Sequence, residues 1–275
     1  MLPNISFIVQ ACQELGLKYS FKDKNKNYLV VKAGPKNITF LNNSTTFNDE
    51  TVAKICKDKS FTYQLLNPYL KMPKTLEYLD PNVSVEFQNY VVQKSNDHIA
   101  GDISSNFNFP VILKPNKKSQ GLNVFKCQDL NQVSTSINVI FNKKSSGYDY
   151  LLLAQEFIEI VSEYRVIIFN KKVVLIYLKD ISGAKFSGNL SPLHWEGSKA
   201  KYSDDNNLQD KIQTFINPIF EHLDLVYAGL DIAVDNQNKM WLIELNSQPV
   251  FRKFVEKNDS QIVVNIFKKI LVSYV

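Results

Sequence analysis

The stretch Trp241-Leu242-Ile243-Glu244-Leu245-Asn246-Ser247-Gln248-Pro249 combines an apolar run with regularly spaced polar side chains. An apolar run delivers a carboxylate and, two residues later, an amide. Because residues two apart on a β-strand point to the same face, Glu244 and Asn246 are predicted to project together. The Ser-Gln-Pro that follows ends the strand. Oxygen ligands on one face are typical of a site for a hard cation such as magnesium.

A third candidate ligand lies upstream, in Gly229-Leu230-Asp231-Ile232-Ala233-Val234. The polar run Asp235-Asn236-Gln237-Asn238 predicts a hairpin turn between this strand and the next. Antiparallel pairing would bring Asp231 beside Glu244 and Asn246. The alternative interpretation is an ordinary hairpin that carries polar residues on its surface.

A lysine ends another apolar run, Phe109-Pro110-Val111-Ile112-Leu113-Lys114-Pro115. A lysine at the end of a buried strand costs free energy unless it meets an anion. The polar loop that follows offers backbone amides, so lysine and loop together are typical of a phosphate site. Lys114 taken alone is also compatible with a surface lysine after a strand.

The order and spacing of these motifs resemble the ATP-grasp family. That family includes glutathione synthetase, D-alanine–D-alanine ligase, cyanophycin synthetase and the glutamate ligases that modify ribosomal protein. The resemblance implies an α+β ATP-grasp fold, in which two α+β lobes grip ATP between antiparallel sheets, with a small N-terminal α/β lobe. The corresponding division is 1–52 for the N-terminal lobe, 53–157 for the central subdomain and 158–275 for the C-terminal subdomain.

The resemblance also implies a set of phosphate-binding residues. It places Lys114 and Lys59, the latter in Asp58-Lys59-Ser60-Phe61-Thr62, against the α- and β-phosphates. It places the loop Ser119-Gln120-Gly121 over those phosphates. Relatives usually carry several glycines in this loop, where this chain has only Gly121.

A strand that enters a linker, Gln155-Glu156-Phe157-Ile158, is the predicted adenine site. Adenine needs an apolar slot and an edge with one donor and one acceptor. The resemblance implies that Glu156 meets the adenine edge, that Phe157 and Ile158 form the linker, and that Glu163 takes the ribose hydroxyls. Gln155 and Ile243 complete the predicted nucleotide-binding set. The alternative is a salt-bridged strand edge.

The resemblance extends to the reacting groups. Arg165 matches a cation that holds an acyl phosphate or a substrate carboxylate, while Lys179 and Asn189 match residues that border the acceptor. The Gly-Gly that relatives carry after the asparagine is missing, which leaves the substrate open. Asp231, Glu244 and Asn246 are implied to hold two Mg²⁺ ions, which Mn²⁺ can replace, with Glu244 bridging.

The implied activity is a ligase reaction, in which ATP activates an amino-acid or peptide carboxylate as an acyl phosphate and an amine acceptor then forms an amide. Two alternatives stay open at this point. A small-molecule kinase on the same fold would phosphorylate a hydroxyl, and a non-catalytic module would bind ATP without turnover.

Composition limits the partners and the compartment. The 275 residues carry a net charge of +5, and the lysines are scattered, so we expect no nucleic-acid partner. No apolar run reaches the length of a membrane span, so we expect no membrane association. The three cysteines have neither zinc spacing nor an even count, which favours a reduced, cytoplasmic location. Dimers are common in the resembled family, and the sequence leaves the oligomeric state open.

Helical spacing predicts helical stretches over 4–16, 48–67, 84–100, 129–142, 206–224 and 259–273. The second is expected to begin at a cap near Asn48 or Asp49.

Overall fold

The computed structural model describes all 275 residues, and its N-terminal lobe combines one helix with one small sheet. The lobe consists of α1 (Pro3–Glu14), β1 (Tyr19–Phe21), β2 (Tyr28–Ala33), β3 (Lys36–Leu41) and β4 (Ser44–Thr45), with the strands antiparallel in that order. Burial alternates along β2, as expected for a strand with one face in a core.

Two short helices follow, α2 (Glu50–Ile55) and α3 (Lys59–Leu66). Asp49 caps the first by accepting a hydrogen bond from the Val52 amide at 2.7 Å, which confirms one of the two predicted caps. The single helical stretch predicted over 48–67 is wrong. Asp58 interrupts it with extended backbone and caps α3, accepting from the Phe61 amide at 3.1 Å.

The central lobe is a four-stranded antiparallel sheet with two helices. It contains β5 (Thr75–Leu79), α4 (Asn96–Asn106), β6 (Val111–Pro115), β7 (Phe125–Cys127), α5 (Leu130–Ile140) and β8 (Leu151–Glu156), with strand order β5-β8-β6-β7. The helix predicted over 84–100 is wrong: Val85–Tyr90 forms a 3-10 helix, and α4 begins only after Ser95, whose hydroxyl accepts from the His98 amide.

The C-terminal lobe is built on the largest sheet. It contains β9 (Ile160–Phe169), β10 (Lys172–Asp180), β11 (Lys199–Ser203), α6 (Asn206–Ile216), α7 (Ile219–His222), β12 (Tyr227–Asp235), β13 (Met240–Asn246), α8 (Arg252–Val255) and α9 (Gln261–Val272). All neighbours pair antiparallel, in the order β11-β10-β9-β12-β13. The helix predicted over 206–224 divides at Asn217 and Pro218, which separate α6 from α7.

Both faces of the C-terminal sheet are covered by helices. One face shares a core with α1, the N-terminal sheet and α9, while the other packs on α2, α3 and α6. Cys56 and Leu66 therefore contribute to the core of the C-terminal sheet, although 53–157 was predicted as one central subdomain. The division of the chain into three lobes remains a prediction.

The predicted α+β architecture with antiparallel sheets is confirmed. The central sheet and the C-terminal sheet face each other across a narrow cleft, whose lining includes Lys114, Gln155 and Glu244. None of the helices has both the length and the apolar character that a bilayer crossing requires.

Candidate active site

The β12–β13 hairpin brings the three predicted metal ligands together. Asp231 lies opposite Glu244, and Gly229 lies opposite Asn246. Directly paired residues share a face of the sheet, and so do residues two apart, so the oxygen-bearing side chains of Asp231, Glu244 and Asn246 emerge on one side. A register shift after Asp231 leaves Ile243 as an extra residue on β13.

Asp231 belongs to a buried group of four charges, the ion cluster, with Glu163, Arg165 and Lys179. Arg165 Nε lies 2.7 Å from Asp231 Oδ1, and Lys179 Nζ lies 3.0 Å from Asp231 Oδ2. Lys179 also forms an ion pair with Glu163. Two positive and two negative charges therefore balance in a site where none of the side chains is more than 19% exposed.

The surroundings set the charge states of this cluster. Burial alone would raise the pKa of Asp231, but Arg165 and then Lys179 outweigh it and hold the pKa below its usual range. Burial alone would lower the pKa of Lys179, but Asp231 and Glu163 outweigh it and raise the pKa. Both side chains are consequently charged at neutral pH.

Strand register and one glycine make room for the cluster. Arg165 on β9 lies opposite Asp231 on β12. A Cβ at Gly229 would lie 2.9 Å from Arg165 Nη1 and 3.1 Å from Pro249 Cβ, so a larger residue would displace the guanidinium. Gly229 is a site residue that our sequence analysis missed, because its role depends on a neighbouring strand.

Lys114 lies on the other side of the cleft, at the end of β6, and is only 6% exposed. Its Nζ donates to Gln155 Oε1 at 2.9 Å. Burial, and then the charge of Lys59, lower the pKa of Lys114 to about 8. A buried ammonium with no carboxylate partner is an unsatisfied cation, which favours an anionic ligand.

Lys59 connects the two sides of the cleft. Its Nζ donates to the backbone oxygens of Asn116 at 3.1 Å and Lys118 at 2.7 Å. The same nitrogen lies 3.7 Å from Glu244 Oε1. The helix that carries Lys59 is fixed by Asn116 Oδ1, which accepts from the Ser60 amide at 2.9 Å.

Asn116 is a second residue that the sequence analysis missed. Because its Oδ1 is taken by Ser60, its amide orientation is set, and the buried Nδ2 has no acceptor within the protein. An asparagine directly after Lys-Pro, at the start of a polar loop, is the signal that was available. The unsatisfied donor adds to the two lysines on the predicted phosphate side of the cleft.

Left-handed backbone shapes residues 116–124, the segment that contains the predicted phosphate loop Ser119-Gln120-Gly121. Gln120, Gly121 and Asn123 have φ of 60°, 70° and 56°. Asn189 Nδ2 donates to the Gln120 carbonyl at 2.9 Å. Asn189 therefore contacts this loop and lies outside the ion cluster, while Ser119 and Gln120 have exposed side chains.

The predicted adenine segment lies at the end of β8. Glu156 Oε1 accepts from the Lys74 amide at 2.7 Å, and the Phe157 ring lies under Lys126, with Nζ 3.8 Å from the ring centroid. Ile158 and Ile243 are partly buried, and Ile243 lines the cleft. Glu163 is bound to Lys179, so a ribose contact would compete with that ion pair. The nucleotide contacts of these residues remain predictions.

The comparisons with known proteins decide the family. The sequence profile of the RimK-like ATP-grasp domain matches residues 57–273, more than half of the chain. The chain belongs to the RimK-like ATP-grasp family. Every predicted site residue, from Lys59 to Asn246, lies inside the matched part of this ATP-grasp chain.

Individual relatives of the ATP-grasp chain are distant. The D-alanine–D-alanine ligase of Buchnera aphidicola is 27% identical over 146 residues, which are 51% of this chain and 45% of that protein. The bifunctional glutathione synthetase of Pasteurella multocida superposes with a TM-score of 0.57 at 13% identity, covering 100% of this chain and 44% of that one. A D-alanine–D-alanine ligase of Bacillus anthracis gives a TM-score of 0.57 at 17% identity, covering 82% and 68%.

These structural likenesses show a shared ATP-grasp fold. The chain spans less than half the length of the Buchnera ligase and of the Pasteurella synthetase. The ATP-grasp fold of the chain is thus established.

We expect nucleotide binding by this ATP-grasp protein to take up a proton at Lys114. The pKa of Lys114 is about 8 in the free protein against an ordinary 10.5, so the charged form is disfavoured. The contribution of this group to the free energy of unfolding is fully present above 10.5 and is lost as pH falls through the folded value of about 8. A nearby phosphate favours the charged form. Calorimetry of ATP binding at pH 8.5, in buffers of different ionisation enthalpy, is expected to show proton uptake.

The variants that check this are Lys114→Met and, as a control on the exposed face of α6, Lys211→Met. Lys114→Met removes the proton uptake and raises the ATP Kd roughly 10- to 100-fold, the loss of one hydrogen-bonded charge. Lys211→Met changes neither quantity. Unchanged ATP affinity in Lys114→Met would remove this lysine from the phosphate site.

A second prediction concerns Gly121. Alanine there must adopt a φ of 70°, and its Cβ would collide with the Asn189 side chain. The left-handed conformation costs about 1 kcal/mol, and the collision adds to it, so Gly121→Ala is expected to weaken ADP binding about tenfold.

The matched control for Gly121→Ala is Gly101→Ala in α4, where an added Cβ meets nothing within 4 Å. Gly101→Ala leaves ADP affinity unchanged. The double variant Gly121→Ala/Asn189→Ala removes the collision and keeps the backbone strain, so it recovers part of the affinity. Equal ADP affinity in Gly121→Ala and wild-type protein would show that the phosphate loop does not touch the nucleotide.

Proposed function

We propose that the protein is an ATP-dependent carboxylate–amine ligase. The observation that carries the proposal is the facing arrangement of Asp231, Glu244 and Asn246 on the C-terminal sheet and of Lys59 and Lys114 at the phosphate side of the cleft. One side supplies oxygen ligands and the other supplies cations. A polyphosphate with its counter-ions is the ligand class that needs both.

The donor set fits Mg²⁺. Asp231, Glu244 and Asn246 on one side of the β12–β13 hairpin would offer a metal two carboxylates and one amide oxygen. Mg²⁺ is held in this way, by one or two carboxylates together with substrate phosphates and water. Asp231 Oδ1 is buried and has no aligned hydrogen bond, although Arg165 Nε is near. Bound Mg²⁺, or Mn²⁺ in its place, would supply charge neutralisation at the phosphates.

The chain's own residues supply alignment and charge. Lys59 and Lys114 neutralise the α- and β-phosphates, and the phosphate loop covers them. A substrate carboxylate oxygen attacks the γ-phosphorus, the bond to the β-phosphate oxygen breaks, and ADP leaves. Arg165 stabilises the charge on the transferred phosphoryl group. An amine then attacks the acyl carbon, and phosphate and a proton leave as the amide forms.

The substrates we propose are an amino-acid or peptide carboxylate and an amine acceptor, joined in a cytoplasmic enzyme. Support for this substrate class comes from the ligase relatives, whereas Lys179 and Asn189 are occupied by contacts within the protein. If Lys179 and Asn189 contact the acceptor, its binding would have to replace those contacts.

The test is an assay of ADP and phosphate release from ATP and Mg²⁺ with a panel of amino acids and short peptides. The proposal expects amine-dependent ADP formation with stoichiometric free phosphate and a new amide product. ADP formation without free phosphate would identify a kinase instead. Tight ATP binding without turnover across the panel would identify a non-catalytic module.

A further inference from the structure

We propose that Gln155 is a positioning residue, which holds the Lys114 ammonium by a neutral hydrogen bond and so keeps its positive charge available for the nucleotide phosphates. The inference rests on the proposed function in one respect, since it takes the anion at Lys114 to be a nucleotide phosphate.

A chain of three hydrogen bonds fixes the orientation of Gln155. Lys114 Nζ donates to Gln155 Oε1 at 2.9 Å, and Gln155 Nε2 donates to Thr75 Oγ1 at 2.9 Å. The Thr75 hydroxyl donates its own proton to the Pro73 carbonyl at 2.9 Å. Because that proton is committed, Thr75 accepts from Nε2, and the amide must present its oxygen to Lys114.

Strand register builds this arrangement. Thr75 on β5 lies directly opposite Gln155 on β8, so their side chains are neighbours on one face of the central sheet. Lys114 on β6 lies opposite Leu153, two residues before Gln155, and therefore projects from the same face. Lys114, Gln155 and Thr75 are all at least 93% buried, so the hydrogen bonds among them are shielded from bulk water.

The two buried lysines of the protein, Lys114 and Lys179, differ in whether a carboxylate compensates their charge. Lys179 has ion pairs with Glu163 and Asp231, so its charge is compensated. Lys114 has the neutral Gln155 amide instead, which orients the ammonium as a carboxylate would but leaves its positive charge uncompensated. A glutamate at 155 would have nearly the same shape and would turn this contact into a buried ion pair.

Gln155 was predicted to bind the nucleotide itself. Both of its polar side-chain atoms are already used, one by Lys114 and one by Thr75, and the residue is only 7% exposed. It consequently acts through Lys114, and its effect on a ligand should depend on the ligand's phosphates.

The experiment measures Kd for ADP and for adenosine, with Mg²⁺, on the full chain carrying Gln155→Glu. A charge-compensating glutamate is expected to weaken ADP binding roughly 10- to 100-fold, the range for a hydrogen bond to a charged group. Adenosine affinity is expected to stay within about twofold, because adenosine has no phosphate for the Lys114 ammonium to contact. A merely structural role would weaken both ligands alike.

A pair of variants at Thr75 keeps the test independent of how well Gln155→Glu folds. Thr75→Val removes the acceptor that orients the amide and is expected to weaken ADP binding about tenfold, again without affecting adenosine. Thr75→Ser keeps the hydroxyl and retains wild-type ADP affinity. Valine replaces the Thr75 hydroxyl by a methyl group, whereas serine keeps the hydroxyl and loses the methyl group. The two variants therefore differ at the hydroxyl that orients Gln155.

Three outcomes overturn the inference: wild-type ADP affinity in Gln155→Glu, equal loss of ADP and adenosine binding, or equal behaviour of Thr75→Val and Thr75→Ser. A wild-type protein that binds no ADP would overturn the proposed function instead. The two failures are thus distinguished by the wild-type measurement.

Discussion

Glu244→Gln is expected to lower ATP turnover by roughly 1,000-fold, the scale of losing a group that stabilises transferred charge. Glu244 is a proposed metal ligand, and the amide of glutamine has no negative charge to offer a cation. The fold is expected to survive, because the side chain is 31% exposed and its ion pair with Lys59 is long, at 3.7 Å. Partly exposed pairs of this kind contribute at most about 1 kcal/mol.

Steady-state ADP release at saturating Mg²⁺ measures the effect of Glu244→Gln, and thermal unfolding checks the fold. Glu256→Gln is the matched control, because Glu256 also pairs with basic residues, Arg252 and Lys253, but on the protein surface. The control is expected to keep wild-type turnover. Wild-type turnover in Glu244→Gln would contradict the assignment of this carboxylate to the metal.

Asp231→Asn is expected to destabilise the protein by about 3–5 kcal/mol, the cost of breaking a buried ion pair from one side. Arg165 and Lys179 would then share Glu163 as their one carboxylate partner within the ion cluster. Asparagine has almost the same shape as aspartate, so lost charge rather than lost packing is what the variant tests.

Urea unfolding of Asp231→Asn and wild-type protein at pH 7 measures this difference. The pKa of Asp231 is lowered in the folded state, so its contribution is fully present above the unfolded value of 3.8 and is lost as pH falls through the folded one. The difference between the two proteins should shrink in acid. Asp210→Asn, on the exposed face of α6, is the control and should change stability by at most about 0.5 kcal/mol. A loss below about 1 kcal/mol in Asp231→Asn would contradict the cluster.

Local pattern was enough for the parts of the site that lie on one hairpin or one strand end. Glu244 and Asn246 share a face because of strand period, and a short polar turn brings Asp231 opposite. Lys114 was found because a lysine that ends an apolar strand is conspicuous. The α+β fold with antiparallel sheets was predicted from the resemblance to the ATP-grasp family, which these same motifs carry.

Contacts between distant segments could not be predicted from local pattern. Glu163 and Lys179 form an ion pair with each other, although the first was predicted to bind the ribose and the second to border the acceptor. Asn189 contacts Gln120 across 69 residues, and Gly229 matters through Arg165 on the next strand. Such relations depend on register and on loop paths, neither of which leaves a trace in short-range spacing.

Helix boundaries failed for a related reason. Apolar spacing continues across 48–67, but the Asp58 side chain can bond the backbone of the next turn, and capping wins over propagation there. β5 was missed because Pro73 and Lys74 precede it directly, and a short strand beside a proline resembles a turn. That omission hid Thr75, and with it the orientation of Gln155.

A crystal structure of the protein with Mn²⁺ and a non-hydrolysable ATP analogue, from diffraction data collected at the manganese absorption edge, would test the metal site most directly. We expect anomalous peaks about 2.1 Å from oxygens of Glu244, Asn246 and Asp231, with the nucleotide phosphates reaching Lys114 on the opposite side of the cleft. Manganese peaks remote from these three residues, or a nucleotide bound outside the cleft, would contradict this expectation.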